Sequence, residues 1–213
     1  SSTADLKSVS YYLYGRQNLG QSWSINGVIG GARQDIDTER HVTLLNGTSL
    51  STSSSHASMI NGSLLAKYKV PTNKDFEFYL VGGAQAARIS AAAVTEANNT
   101  PNIALNLHKT TWSSAQSKLG GEVVFNKGNY SGTVYANWLH EFSDEPTAVR
   151  DVHLGNASWQ VSSVVMPRDS FNLGARLEGK LTDNVSLSGG INGISDGSHY
   201  QVGVASLGLR VKF

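Results

Sequence analysis

The sequence contains no cysteine and only 4 prolines in 213 residues, which excludes a disulfide scaffold and a proline-rich linker. It has no run of about 18 apolar residues, the length that a transmembrane helix needs. Charged residues make up 15% of the chain and the net charge is +1. Because Lys and Arg are scattered, the chain lacks the basic stripe of a nucleic-acid-binding protein, and no nucleic acid partner is predicted. The remaining evidence for the fold comes from the 22 glycines and from the spacing of the apolar residues.

Apolar and polar residues alternate with a period of two along most of the chain, which is typical of β-strands with two different faces. Nine such segments are predicted: 9–19, 23–33, 57–70, 76–89, 113–125, 131–142, 169–181, 185–194 and 200–213. Four short turns alternate with longer polar connections, including a predicted long loop through Gly47–Ser55. This alternation favours an antiparallel meander with tight turns on one rim and loops on the other.

The apolar face of the predicted strands is rich in small residues and ends in aromatic residues, such as Trp23, Phe76 and Tyr130 beside tight turns. A soluble β-sandwich needs bulkier side chains to fill its core at native density, whereas lipid needs no interlocking side chains. Aromatic residues at both strand ends suit the two membrane interfaces. The sequence therefore predicts an all-β fold, a transmembrane antiparallel up-and-down β-barrel in the bacterial outer membrane.

The last predicted strand alternates up to an aromatic end. Its apolar positions are Ala205, Leu207, Leu209, Val211 and Phe213. Soluble domains usually fray at their ends, but the final strand of a barrel must stay ordered to close the cylinder. These five residues are predicted to form the outer-membrane assembly signal, which joins an open sheet edge by strand addition.

Three segments together resemble a known family: WLHEF at 138–142, RDSFNLGARLEGKLTDNVSL at 168–187, and GLRVKF at 208–213. They are similar to the carboxy-terminal translocator β-barrel of type V autotransporters, and the similarity extends back to YYLYGRQ and WSINGVIGGARQDIDTER near the start. The resemblance implies a twelve-stranded barrel that anchors and translocates an N-terminal passenger through a linker helix in the lumen. It also implies the β-barrel assembly machinery and periplasmic chaperones as partners.

Residues 1–213 are accordingly predicted to form one translocator domain that is incomplete at its amino end, with about the last nine of twelve strands. Nine antiparallel strands cannot close on themselves, and open edges in hydrocarbon leave backbone groups unpaired. The missing strands are therefore expected from residues outside this chain or from another chain. The alternative is an overlooked strand in 151–165, a hairpin expected to rise above the membrane rather than join the wall.

About twelve strands enclose a water-filled pore. The residues predicted to line it are Lys67, Lys118, Glu122, Glu141, Arg176, Glu178 and Arg210. Pairs such as Glu141 with Arg176 and Glu122 with Lys118 are expected to neutralise the charges in the lumen, where the passenger or its linker is expected to lie. Outer-membrane lipid is predicted to surround the apolar face.

The chain is predicted not to be an enzyme. Some members of the resembled family cleave their passenger at an asparagine inside the barrel, and Glu122, Glu141 and Glu178 are the weak candidates for assisting such a cleavage. No GxSxG, HExxH or GxGxxG motif is present, and the six histidines lack metal-ligand spacing. No metal and no cofactor are predicted.

Two alternatives stay open at this point. The first is a self-contained small outer-membrane barrel of the porin or adhesin type, which needs an even number of strands. The second is a soluble β-sandwich that binds a ligand, because a polar face on any single strand is more typical of the solvated side of a soluble sheet.

Overall fold

The computed structural model describes residues 2–44, 47–72, 76–98, 103–144, 149–162, 167–198 and 200–212. Fourteen strands are found among them. They are β1 (Ser2–Leu19), β2 (Trp23–Leu44), β3 (Gly47–Val70), β4 (Phe76–Ala91), β5 (Val94–Thr95), β6 (Ala97–Asn98), β7 (Leu105–Leu107), β8 (Thr110–Lys127), β9 (Tyr130–Glu141), β10 (Val149–Leu154), β11 (Ala157–Ser162), β12 (Asp169–Lys180), β13 (Val185–Ser195) and β14 (Gln201–Val211). No helix among the described residues is long and apolar enough to cross a membrane.

Nine of these strands form one antiparallel meander in the order β1-β2-β3-β4-β8-β9-β12-β13-β14, with the short β6 added beside β3. Each of the nine predicted strands is present in it. The tight connections lie on one rim, and Gly20 and Gly128 take positive φ values of 67° and 58° there. Glycine adopts such values readily because it has no Cβ. Gly128 and Asn129 form the two-residue loop of the hairpin between β8 and β9.

The predicted loop through Gly47–Ser55 is wrong. β2 runs on to Leu44 and β3 begins at Gly47, so the two strands pair far beyond the end of β4. The serine and threonine residues of this stretch support the ladder through side-chain contacts, as between Thr38 Oγ1 and Ser53 Oγ at 2.6 Å. A run of Ser and Thr reads as a loop in the sequence, but Thr also fits a pleated surface well.

The predicted hairpin within 151–165 is present as β10 and β11 and stays outside the nine-stranded sheet. It belongs to a second sheet in the order β11-β10-β7-β5. With strands of only two to six residues, this sheet is too small to cover the large one. The architecture is therefore not a sandwich of two comparable sheets.

The strand register divides the side chains of the main sheet between two faces. One face carries Lys67, Glu122 and Glu178, and we call it the inner face; the opposite one is the outer face. The seven buried polar residues lie on the inner face: Ser24, Ser49, Ser51, Gln116, Asn137, Glu141 and Ser170. Ser49 and Ser51 are contacted by Asn98 of β6. The burial of the other five reflects the curl of the sheet, which brings the side chains of its concave face together.

Several glycines accept an aromatic ring from the neighbouring strand. A Cβ on Gly174 would overlap the ring of Tyr135, and one on Gly30 would overlap the ring of Tyr12. In both cases the two residues are direct cross-strand partners. The ring occupies the space that a side chain on the glycine would need, which favours this register of the two strands.

We predict that Gly174→Val lowers the free energy of unfolding in detergent by about 1 to 3 kcal/mol, and with it the thermal midpoint, because the new side chain displaces the Tyr135 ring from a packed site. Gly203→Val is the matched control, since no atom lies within 4 Å of a Cβ at that position. Thermal unfolding followed by near-UV circular dichroism measures both. Equal midpoints for the two variants would show that the ring does not need the glycine.

Candidate functional site

The seven residues predicted to line a pore all project from the same face of the main sheet. The pairing registers place Lys67, Lys118 and Glu122 on the inner face of β3 and β8. The registers of β9, β12, β13 and β14 place the other four predicted residues on this face as well: Glu141, Arg176, Glu178 and Arg210. The charged residues of this curled face thus come from five strands, β3, β8, β9, β12 and β14.

Glu122 pairs with Lys67 rather than with Lys118, so the expected pair is replaced by another. Lys67 Nζ lies 2.5 Å from Glu122 Oε2, and the contact passes over β4, which separates the two strands. Close by, Lys69 forms an ion pair with Glu77, and Tyr79 donates a 2.6 Å hydrogen bond to the same carboxylate. β3 thus supplies both lysines, and β4 and β8 each supply the glutamate that one of them binds on the concave surface.

Glu141 has partners that the sequence did not predict. Its carboxylate accepts hydrogen bonds from Ser114 Oγ at 2.5 Å and from the backbone N–H groups of Ala115 and Ser143 at 2.9 Å. The residue is only 2% exposed. The expected pair with Arg176 is wrong, because Arg176 makes no ion pair within the described part of the chain. Glu141 instead ties β8 to the end of β9.

Glu178 and Arg210 meet across β13. Arg210 Nη1 lies 3.6 Å from Glu178 Oε1, and Ser186 Oγ donates a 3.2 Å hydrogen bond to the same oxygen. Both charged side chains keep solvent exposure, 63% for Arg210 and 28% for Glu178. Their pairing is consequently weak, and their main effect is to make this part of the inner face hydrophilic.

Amide side chains also lie on the inner face, although only charged residues were predicted to line the pore. Asn192 Nδ2 donates to Tyr135 Oη at 2.5 Å and to Asn172 Oδ1 at 3.1 Å, while Gln85 Nε2 donates to Gln116 Oε1 at 2.6 Å. The sequence pattern indicates their side of the sheet, since each amide occupies a polar position of an alternating strand.

The outer face shows the opposite chemistry. The strand segments nearest the tight turns are 9–19, 23–31, 58–70, 76–86, 113–125, 130–138, 171–179, 185–195 and 201–211, and within them every Asp, Glu, Lys and Arg projects to the inner face. The outer face there presents exposed apolar side chains, for example Leu13 at 74%, Ile191 at 66% and Leu207 at 81%. Roughly ten tilted residues per strand match the height of a membrane hydrocarbon layer.

Aromatic residues border this uncharged band at the tight turns. Trp23, Phe76 and Tyr130 are 51%, 51% and 68% exposed, and all three project from the outer face. On the other side of the band, Trp138 Nε1 donates to Asp169 Oδ1 at 2.9 Å, and His140 Nδ1 lies 2.9 Å from the same atom. Amphipathic rings at both borders are the arrangement found at the two interfaces of a membrane.

The end of the long β2–β3 hairpin that lies farthest from the tight turns carries a further ion pair. Arg40 Nε and Nη2 donate to the two oxygens of Glu96 at 3.0 and 2.5 Å, and Glu96 Oε2 also accepts from the N–H of Leu105 at 2.8 Å. Burial works to raise the pKa of Glu96, but these hydrogen bonds outweigh it and hold the pKa below its ordinary value. Glu96 is therefore a charged, buried anchor of the connection between β4 and β8.

Within the described residues no group of three or more His, Asp and Glu side chains is arranged to bind a metal ion. The three carboxylates considered for self-cleavage are each occupied: Glu122 by Lys67, Glu141 by three donors, and Glu178 by Arg210 and Ser186. A general base needs a carboxylate free to accept a proton, and these are engaged as acceptors.

A hydrophilic concave face and an uncharged convex band define the wall of a transmembrane β-barrel. The family model described as "Autotransporter beta-domain" matches residues 1–192. The chain belongs to the autotransporter β-domain family. Proteins of this family form outer-membrane barrels through which a passenger is translocated, so the chain is an outer-membrane component of passenger translocation.

One solved structure shares the fold of this chain, and a second is matched at a lower TM-score. The translocator domain of the autotransporter NalP from Neisseria meningitidis matches with a TM-score of 0.73 and 12% identity, covering 100% of this chain and 68% of that domain. The transport unit of the autotransporter AIDA-I from Escherichia coli matches with a TM-score of 0.36 and 13% identity, covering 100% and 84%. None of the curated proteins matches the sequence.

We predict that Glu141→Ala destabilises the folded barrel by about 2 to 4 kcal/mol, because it leaves the half-buried Ser114 hydroxyl and two backbone N–H groups without their acceptor. Glu178→Ala is the control and should cost less than about 1 kcal/mol, since its ion pair is solvent-exposed. The shift of the urea midpoint in detergent measures both. A Glu141→Ala variant as stable as Glu178→Ala would show that the three donors do not depend on the carboxylate.

Proposed function

We propose that the inner face of this sheet lines the translocation pore and holds the passenger or its linker there. The observation that carries the proposal is the complete segregation of charge in the band that faces lipid. A chain passing through hydrocarbon would lose the water around its backbone, at a cost of several kcal/mol per unpaired group. Hydrophilic walls such as Lys67–Glu122 and Glu178–Arg210 avoid that cost.

The ion pairs suit this role because they supply charge of both signs. A lumen lined by one sign would bind an oppositely charged segment tightly and repel the other kind. Paired charges keep the wall hydrated while leaving lysines and carboxylates able to exchange partners with a segment inside. Lys118 contributes a further inner-face cation beside the Lys67–Glu122 pair.

We propose further that the nine strands close into a complete barrel with additional strands, from the same longer protein or from another chain. In the described residues β1 pairs with β2 alone and β14 with β13 alone, so each end of the sheet has an edge. Hydrocarbon does not tolerate unpaired edges. The match to the NalP domain leaves about a third of that domain without a counterpart here, since it covers 68% of it.

The chain itself is proposed to have no catalytic activity. The occupied state of Glu122, Glu141 and Glu178 supports this, as does membership of a family of transport barrels. Its other partners are proposed to be outer-membrane lipid on the outer face, and periplasmic chaperones and the β-barrel assembly machinery during insertion.

We propose that β14 carries the assembly signal. Ala205, Leu207, Leu209 and Val211 all project from the outer face, and Leu209 is 65% exposed. Phe213, the last residue of the predicted signal, lies outside the described residues. An exposed apolar row on an edge strand is suited to pairing with an open sheet edge of another protein.

Cysteine labelling tests the pore lining. The chain has no cysteine of its own, so Thr133→Cys on the inner face and Val134→Cys on the outer face of β9 each introduce one site. In vesicles, a membrane-impermeant charged maleimide should label the first at least about tenfold faster, because ionised thiol and reagent meet only in water. Equal labelling of the two neighbours would overturn the proposed pore.

Replacement of the terminal residue tests the signal. We predict that Phe213→Ser lowers the amount of barrel in the outer membrane severalfold, whereas Lys212→Ser, at the adjacent inner-face position, leaves it unchanged. Membrane fractionation and heat-modifiable gel mobility measure the assembled fraction. Normal assembly of the Phe213→Ser protein would show that Phe213 is not part of the assembly signal.

A further inference from the structure

The outer face becomes charged on the loop side of the uncharged band, and on one flank of the sheet the first charges are all positive. Beyond the band, the first charged residue on this face is Lys7 in β1, Arg33 in β2 and Arg88 in β4. The described residues of β3, which lies between β2 and β4, include no Asp, Glu, Lys or Arg on the outer face. All three cations are exposed.

The pairing registers bring these three cations close together. Arg33 is opposite Val9, so Lys7 is its diagonal neighbour on β1, about 7 to 8 Å away. Arg88 lies level with Gly31 across β3, which places it two strand spacings, or about 10 Å, to the side of β2. We call Lys7, Arg33 and Arg88 the basic row.

The carboxylates of the same flank lie farther from the band than Arg33: Asp35, Asp5, Asp37 and Glu39. Asp35 Oδ1 lies 3.2 Å from Arg33 Nε, but the two side chains are 51% and 65% exposed, so the pair is weak. Within the described residues the terminal nitrogens of Arg33 have no partner, and Lys7 and Arg88 form no ion pair. The basic row is therefore available to an anion.

The basic row belongs to one flank of the wall only. Across the described parts of β8, β9, β12, β13 and β14, the only Asp, Glu, Lys or Arg on the outer face beyond the band at this side is Asp169, a carboxylate. A general excess of positive charge would not produce this difference, because the net charge of the chain is +1.

The position of the row indicates what it binds. In outer-membrane barrels the tight turns face the periplasm and the longer connections face the cell surface, so the row lies at the height of the outer-leaflet headgroups. Arg and Lys bind phosphate through charge-assisted hydrogen bonds. We propose that the basic row binds the phosphate groups of a phosphorylated lipid headgroup in the outer leaflet.

A lipid fits this surface better than a soluble anion because the charges continue into an apolar surface. Directly toward the band lie Leu13, Ile29 and Ile60, which are 74%, 55% and 57% exposed on the outer face. One lipid covers them with its acyl chains while its phosphate contacts the row. The carboxylates beyond the row repel phosphate, which confines the headgroup to the level of the cations.

The proposal rests on the proposed contact between lipid and the outer face, and its test separates the two. The full-length protein in a neutral detergent is mixed with bisphosphorylated lipid A, or with dephosphorylated lipid A that has the same acyl chains. Native mass spectrometry measures the lipid bound per barrel, and heat-modifiable gel mobility checks folding.

The variants are Arg88→Gln alone and Lys7→Gln, Arg33→Gln and Arg88→Gln combined. Lys127→Gln is the matched control for Arg88→Gln, because Lys127 is an exposed cation of the outer face beyond the opposite border of the band.

We expect the parent and Lys127→Gln to bind the phosphorylated lipid at least about tenfold more tightly than the dephosphorylated one. Arg88→Gln should weaken binding of the phosphorylated lipid severalfold, and the triple variant should lose the preference for phosphate, with binding of the dephosphorylated lipid unchanged throughout. Equal binding of the two lipids by the parent would overturn the phosphate site. So would a triple variant that keeps the preference, or a Lys127→Gln variant as weakened as Arg88→Gln. Failure of the parent to bind either lipid would instead overturn the lipid contact itself.

Discussion

The backbone of a strand in hydrocarbon must find all of its hydrogen-bond partners on neighbouring strands, because lipid offers none. This requirement explains why the main sheet is an unbroken antiparallel ladder with tight turns at one rim. Once the ladder is in place, the side chains alternate between lipid and lumen, and the distribution of charge follows. The polar interior and apolar exterior of this protein are thus consequences of one constraint on the peptide group.

The curvature of the sheet brings the polar side chains of the inner face into contact with one another. On the concave face, side chains from strands that are not neighbours converge, so Lys67 on β3 reaches Glu122 on β8, and Asn192 on β13 reaches Tyr135 on β9. On the convex face the side chains diverge, and residues such as Leu207 remain exposed. A flat sheet of the same sequence would have two faces but no enclosed polar surface.

The loop-side rim is organised by polar contacts rather than by lipid. The long β2–β3 hairpin supplies Arg40, Ser49 and Ser51, and the connection between β4 and β8 supplies Glu96 and Asn98. A buried ion pair of this kind adds little net stability over an apolar contact, but it specifies one arrangement, since any other leaves a charge unpaired. Within the described residues the rim therefore has a defined structure built on the wall.

The sequence by itself determined the all-β class, the nine wall strands and the side of each strand on which charge lies, because alternation is a local property that each strand carries independently. It also indicated the hairpin at β10 and β11. It did not determine that the Ser and Thr residues around Gly47–Ser55 form strand, since the same residues occur in loops and in solvated strands. Only the tertiary structure decided which charges meet: Glu122 with Lys67 rather than Lys118, and Glu141 with Ser114 and two backbone N–H groups rather than Arg176. Those choices depend on stagger between strands and on the curl of the sheet, which arise from the whole ladder and are encoded in no single segment.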